Sequence, residues 1–148
     1  MSTNALRAAT IGAWLAAAAL LAPASTAEIT GNWLTEEGKA TVAIADCGGA
    51  LCGTIVVLKE PNDPATGQPK TDKNNADPAM RSRPIIGVAI VLGMKPAGAD
   101  QWKGRVYNAE DGKTYTGSLI LQNANTLKLQ GCMLGGVICK SSIWTRAS

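Results

Sequence analysis

Four cysteines in two short stretches have the most chemistry to offer in this chain. Cys47 and Cys52 flank "GGAL", and Cys132 and Cys139 flank "MLGGVI". Close pairs of this kind can grip a metal, carry redox chemistry or staple a turn. The spacings are not the C-x-x-C of zinc sites or thiol oxidoreductases. A two-residue turn at Gly135-Gly136 puts Met133 opposite Ile138 and Cys132 opposite Cys139. Directly opposed Cα atoms lie ~4.5–5.5 Å apart, within disulfide reach. The same register argument over a Gly49-Ala50 turn puts Cys47 opposite Cys52. Two local disulfides, Cys47–Cys52 and Cys132–Cys139, are the expectation, with cross-pairing and a functional thiol as the alternatives.

The catalytic inventory is otherwise thin. There is no histidine, which removes the usual general base, the Ser-His and Cys-His pairs and the commonest metal ligand. Glu36-Glu37 and Glu110-Asp111 are adjacent carboxylates, but neighbours on extended chain point to opposite faces, and both pairs fall in turns. Ser141-Ser142 has no base beside it, and no glycine-rich loop leads into a helix to cradle phosphate. These residues point away from an enzyme and imply no cofactor and no metal.

The start of the chain suggests where the cysteines would oxidise. Arg7 precedes an apolar run from Ile11 to Leu21, and Ser25 and Ala27 stand third and first before Glu28. This is the layout of a secretory signal, residues 1–27. The run is too short for the ~30 Å of a bilayer core, and the later run "PIIGVAIVLGM" stops at Lys95. The expectation is one domain, residues 28–148, periplasmic or secreted, with no integral membrane segment after cleavage. Such a compartment permits disulfides. The net charge of +3 is scattered along the chain, so nucleic acid is not an expected partner.

Beyond Glu28, short apolar or alternating runs are cut by Gly, Asn and Asp at the spacing of an all-β sandwich or barrel. Eight strands are predicted, over Gly31–Thr35, Lys39–Asp46, Leu51–Lys59, Ile85–Met94, Gln101–Asn108, Thr114–Leu121, Thr126–Cys132 and Val137–Thr145. The connections are short, as in "AEDGKT" and "QNANT", so sequential strands should be antiparallel neighbours. Closing that meander removes its edges. The predicted fold is an all-β, eight-stranded antiparallel up-and-down barrel. In "IIGVAIVLGM" the bulky Ile86, Val88, Ile90, Leu92 and Met94 are predicted to face inward, with Gly87, Ala89 and Gly93 outward. One connection is long. Residues 60–84 hold Pro61, Pro64, Pro69, Pro78 and Pro84. The first half reads equally as disordered or functional. The second half, with Met80, Arg81 and Arg83, could pack over the barrel mouth.

"GNW", "VAIADCGGALCGTIV", "TDKNNADPAMRSRPIIGV", "WKGRVYNAEDGKTYTGSL", "LQGC" and "WTR" together resemble the exported bacterial family known as domain of unknown function number 2147. The resemblance covers the chain beyond the signal. It implies a lipocalin-like (calycin) barrel and no settled activity. Lipocalins carry Gly-x-Trp on the first strand and a late Arg that lies over that Trp. Gly31, Trp33 and Arg146 are placed to close the barrel in this way, through a cation–π contact.

Small eight-stranded barrels are either filled by side chains or hold one small ligand. Few aromatic residues are available to fill this one, which argues for some cavity. The candidate walls and mouth are Val88, Ile90, Trp102, Tyr107 and Tyr115. Arg81 and Arg83 at the loop end could meet a carboxylate or phosphate headgroup. The expected function is non-catalytic binding of a small apolar or amphipathic molecule. The alternative is an envelope interaction or structural protein with a filled barrel and a working surface in the 60–84 loop.

Overall fold

The structure is a computed structural model that describes residues 9–18 and 26–148. Arg7, the end of the first apolar run and the small-residue segment through Ser25 lie outside the described residues, so most of the expected signal does too.

Eight antiparallel strands close into a barrel in chain order. They are β1 (Gly31–Leu34), β2 (Ala40–Asp46), β3 (Leu51–Leu58), β4 (Ala89–Gly98), β5 (Gln101–Asn108), β6 (Lys113–Asn123), β7 (Thr126–Met133) and β8 (Ile138–Arg146). A single helical turn, Thr26–Ile29, precedes β1, and short 3-10 turns occupy Glu36–Gly38, Pro78–Met80 and Leu134–Gly136. An up-and-down order puts the chain entry, the β2–β3, β4–β5 and β6–β7 turns and the C-terminus at one end. The long loop and the β1–β2, β5–β6 and β7–β8 turns lie at the other.

Alternation fills the interior. Trp33, Met94, Trp102, Leu119 and Leu127 are at most 1% exposed, and Val42, Ile44, Leu51, Val91 and Trp144 join them in one cluster. Glycines make room for the bulk. A Cβ on Gly53 would sit 2.9 Å from Val91 Cβ and 3.0 Å from Val42 Cγ1. Overpacking such a site costs roughly 1–3 kcal/mol. Gly53→Ala is therefore expected to lower unfolding free energy by about 2 kcal/mol in urea titration, with no change in the barrel's circular dichroism.

β4 corrects the expectation for "IIGVAIVLGM". The strand begins at Ala89, not Ile85. Residues 85–88 instead form a loop end, in which Gly87 N–H donates to Ile55 O and Ile55 N–H to Val88 O. Val91 and Met94 point inward, while Ile86 is 46% exposed. The expected alternation holds at Met94 but not at Leu92, which lines the outer wall while Val91 takes the inward place, because the β4–β5 register shifts between Leu92 and Lys95, where Gly93 takes φ +56°.

The two disulfides are Cys47–Cys52 and Cys132–Cys139. The second joins directly opposed residues with Cα atoms 4.1 Å apart. The first does not, which corrects the Gly49-Ala50 turn. Cys47 N–H bonds Ala50 O, so the tight turn is Gly48-Gly49. Both glycines have positive φ, 84° and 85°, a pairing that glycine adopts without a Cβ penalty. Cys52 is opposite Ala45, and the staple runs diagonally over a Cα separation of 5.9 Å.

Candidate functional site

At the end that holds the chain entry and the C-terminus, Trp33 Nε1 donates to Ile29 O at 2.8 Å, which draws the fully buried Ile29 across the barrel. Arg146, opposite Trp33 in the β1–β8 ladder, lies 4.3 Å from the indole centroid. Its Nε donates to Ala124 O at 2.6 Å, its Nη1 to Thr30 O at 3.1 Å and its Nη2 to Glu28 O. Gly31 passes beneath at φ +120°, where a Cβ would stand 3.1 Å from Arg146 Nη1. One side chain thus ties the chain entry, the β6–β7 turn and the last strand together. This end is a plug.

The more elaborate chemistry belongs to the long loop. Bridges Asn62↔Pro69 and Thr71↔Pro84 fold it back on itself, and Asp72 N–H bonds Arg83 O at 2.9 Å. The Asp72 side chain is fully buried. It accepts from Tyr107 Oη at 2.6 Å, Asn75 Nδ2 at 2.9 Å, Arg83 Nε at 2.9 Å and Arg83 Nη2 at 2.8 Å. Burial alone would raise its pKa. The hydrogen bonds from Tyr107, Asn75 and Arg83, with the guanidinium charge, outweigh that and hold the carboxyl below its ordinary range. Tyr107 moves the other way. Burial first, then its bond to the Asp72 carboxylate, raises the phenol above its ordinary value.

Tyr107 shares the outward phase of Lys103 and Arg105 on β5, both exposed, whereas Trp102 and Val106 face the core. It is nevertheless buried, and it stands outside the interior cluster. The loop therefore folds against the outer wall at β5, not across the barrel mouth. Asn74 Nδ2 fastens it to the β5–β6 turn through Glu110 O at 2.9 Å. Gly112 leaves no space for a Cβ beside Asn74 O.

Between loop and wall runs a groove of about 460 Å³, open to solvent. Met80, Ala89, Leu92 and Tyr107 supply its apolar surface, and Arg83 and Thr114 its polar one. The Arg83 guanidinium stands 5.9 Å from the Tyr107 ring centroid. Its Nε and Nη2 are engaged by Asp72, and Nη1 has no protein partner among the described residues. A second trough, sharing Ala76, Gly112 and Thr114 with the first, continues towards Met133.

Of the sequence-derived candidates, the structure brings Arg83 and Tyr107 together. Arg81 is exposed, with Nε donating to Asn75 O at 2.8 Å. Val88 is buried within the loop end, and Ile90 packs half-buried against the core. Trp102 lies wholly inside the barrel, away from the loop, and its buried Nε1 has no partner among the described residues. Tyr115 is half-buried and donates to the Asp111 carboxylate. Val88, Ile90, Trp102 and Tyr115 do not line one mouth with the arginines, because the barrel centre is packed and the loop lies outside it. Asp72 and Asn75 complete the cluster. Neither was among the sequence-derived candidates, since nothing local in the sequence marks an Asp for burial. Among the described residues no group of three or more His, Cys, Asp or Glu could hold a metal ion, and no helix is long and apolar enough to cross a membrane.

A family model described as "Uncharacterized protein conserved in bacteria (DUF2147)" matches residues 31–146. Among solved structures, protein HP1028 from the human pathogen Helicobacter pylori, described as belonging to the lipocalin family, is similar at a TM-score of 0.66 and 27% identity, over 80% of this chain and 82% of that one. No curated protein matches this chain.

Proposed function

We propose, from the premise that this chain belongs to the bacterial DUF2147 family, that it is an exported, non-catalytic binding protein for one small amphipathic molecule with an anionic head. A lipocalin-like fold is the kind that takes small ligands. The observation that carries the reading is the groove under the loop, where Met80, Leu92 and Tyr107 offer apolar contact beside the unspent Nη1 of Arg83. Its volume falls within the usual ~300–1,000 Å³ of small-molecule sites. Asp72 fixes the guanidinium beforehand, so little side-chain freedom is lost on binding. The disulfides and the signal-like start support export.

Native mass spectrometry of the exported, disulfide-intact protein, followed by tryptophan-fluorescence titration with medium-chain fatty acids, tests this. Saturable binding is expected, weakened by about ten-fold or more when Ala89→Trp fills the groove without touching the Asp72 cluster. A clean apo mass and no response to the panel would sink the ligand reading. That result would favour the second reading, an envelope interaction protein, which the packed barrel interior supports.

A further inference from the structure

β8 and β1 close the barrel through only two residue pairs, Trp33↔Arg146 and Leu34↔Thr145. β1 ends at Leu34, whereas β8 reaches back to Ile138. From Ile138 to Trp144, β8 has β7 on one side and, among the described residues, no ladder partner on the other. The Glu36–Gly38 turn comes close to β8. Neither it nor any loop gives these residues a backbone hydrogen bond among the described residues. Ile138, Cys139, Lys140, Ser141 and Ile143 are all exposed. The strand is also held in place, by a full ladder to β7 and by the Cys132–Cys139 disulfide near its start. A fixed row of unpaired N–H and C=O groups is a template for another strand.

We propose that this edge is the self-association surface of the protein, with two copies pairing β8 to β8 antiparallel about a two-fold axis at Ser141. The residues choose both the occupant and the register. Inner and outer faces must run on across paired strands, so opposed residues share a phase and the axis passes through a residue. An axis at Lys140 would set two ammonium groups face to face. An axis at Ser141 opposes serine with serine, Lys140 with Ser142 of the partner subunit, and Cys139 with Ile143 of the partner subunit. Lys140 is the only charged side chain from Ile138 to Trp144, so in this register no like charges meet directly. The exposed Ile143 gains cover on the outer face. The contact is isologous and closes on itself, as in most soluble homodimers. It is independent of the groove under the loop.

Sedimentation equilibrium of the intact, disulfide-bonded protein at low salt tests it. A monomer–dimer equilibrium is expected. Ser141→Lys and Ser141→Glu each place like charges on the axis and should weaken the dimer by about five-fold. A one-to-one mixture of the two variants should regain wild-type association or better, because lysine then faces glutamate. Ser141 is exposed, so both variants should keep the wild-type circular dichroism spectrum. A wild-type protein that stays monomeric across the concentration range overturns the proposal. So does a dimer that the single variants leave unchanged, or a mixture that fails to recover.

Discussion

Asp72→Ala is expected to destabilise the protein by about 3 kcal/mol at neutral pH, at the lower end of the range for breaking a buried ion pair. The carboxylate is fully buried and receives hydrogen bonds from three side chains. Its removal leaves the buried Tyr107 hydroxyl without an acceptor, which alone costs roughly 1–3 kcal/mol. Arg83 loses its counter-ion too, but its side chain is 37% exposed, so water relieves part of that loss. Urea denaturation at pH 7 measures the difference. A loss below about 1 kcal/mol, no more than an ordinary hydrogen bond, would show that something other than this carboxylate holds the loop to the wall.

The same cluster sets a pH dependence. Asp72 titrates below the ordinary aspartate value, so the folded protein holds that proton less tightly than the unfolded chain does. Its contribution is complete above about pH 4 and drains away as pH falls through the folded value. Tyr107 titrates above its ordinary value, so its contribution is complete below about pH 10 and is lost as pH rises further. Wild-type stability should therefore fall at both limits, and Asp72→Ala should remove this contribution to the acid fall and lessen the alkaline one, where burial of Tyr107 still acts. Parallel curves for the two proteins would contradict the assignment.

Trp33→Ala is expected to cost about 4 kcal/mol, within the range for truncating a buried tryptophan. The indole is fully buried, donates to Ile29 O and lies under Arg146. Truncation opens a cavity, releases the chain entry and strips the guanidinium of its ring. Arg146→Met separates these effects. It keeps an unbranched apolar stem and removes the charge and three carbonyl contacts, for an expected loss of about 2 kcal/mol. If Arg146→Met proved neutral, the plug would rest on Trp33 packing alone.

Much of the architecture was legible in the chain itself. Alternating runs cut by Asp-Gly, Asn and Gly set the number and order of strands, because two-fold periodicity and turn chemistry are local properties. β5 begins and ends at the predicted residues, Gln101 and Asn108, where "WKGRVY" alternates without a bulge. Cys132 and Cys139 came out directly opposed because a Gly-Gly turn sets hairpin register. The same reasoning missed the first hairpin, where three candidate positions for a two-residue turn compete and cross-strand pairing along β2 and β3 decides. It missed the inward phase of β4 as well, since a bulge at Gly93 depends on what β5 presents opposite. The candidate site was the least legible part. Arg83 and Tyr107 could be named as types suited to binding. Their union with Asp72 and Asn75 joins segments 35 residues apart in sequence. Only the tertiary structure could decide that union, because burying a carboxylate is favourable only once every partner that offsets its lost hydration is already in place.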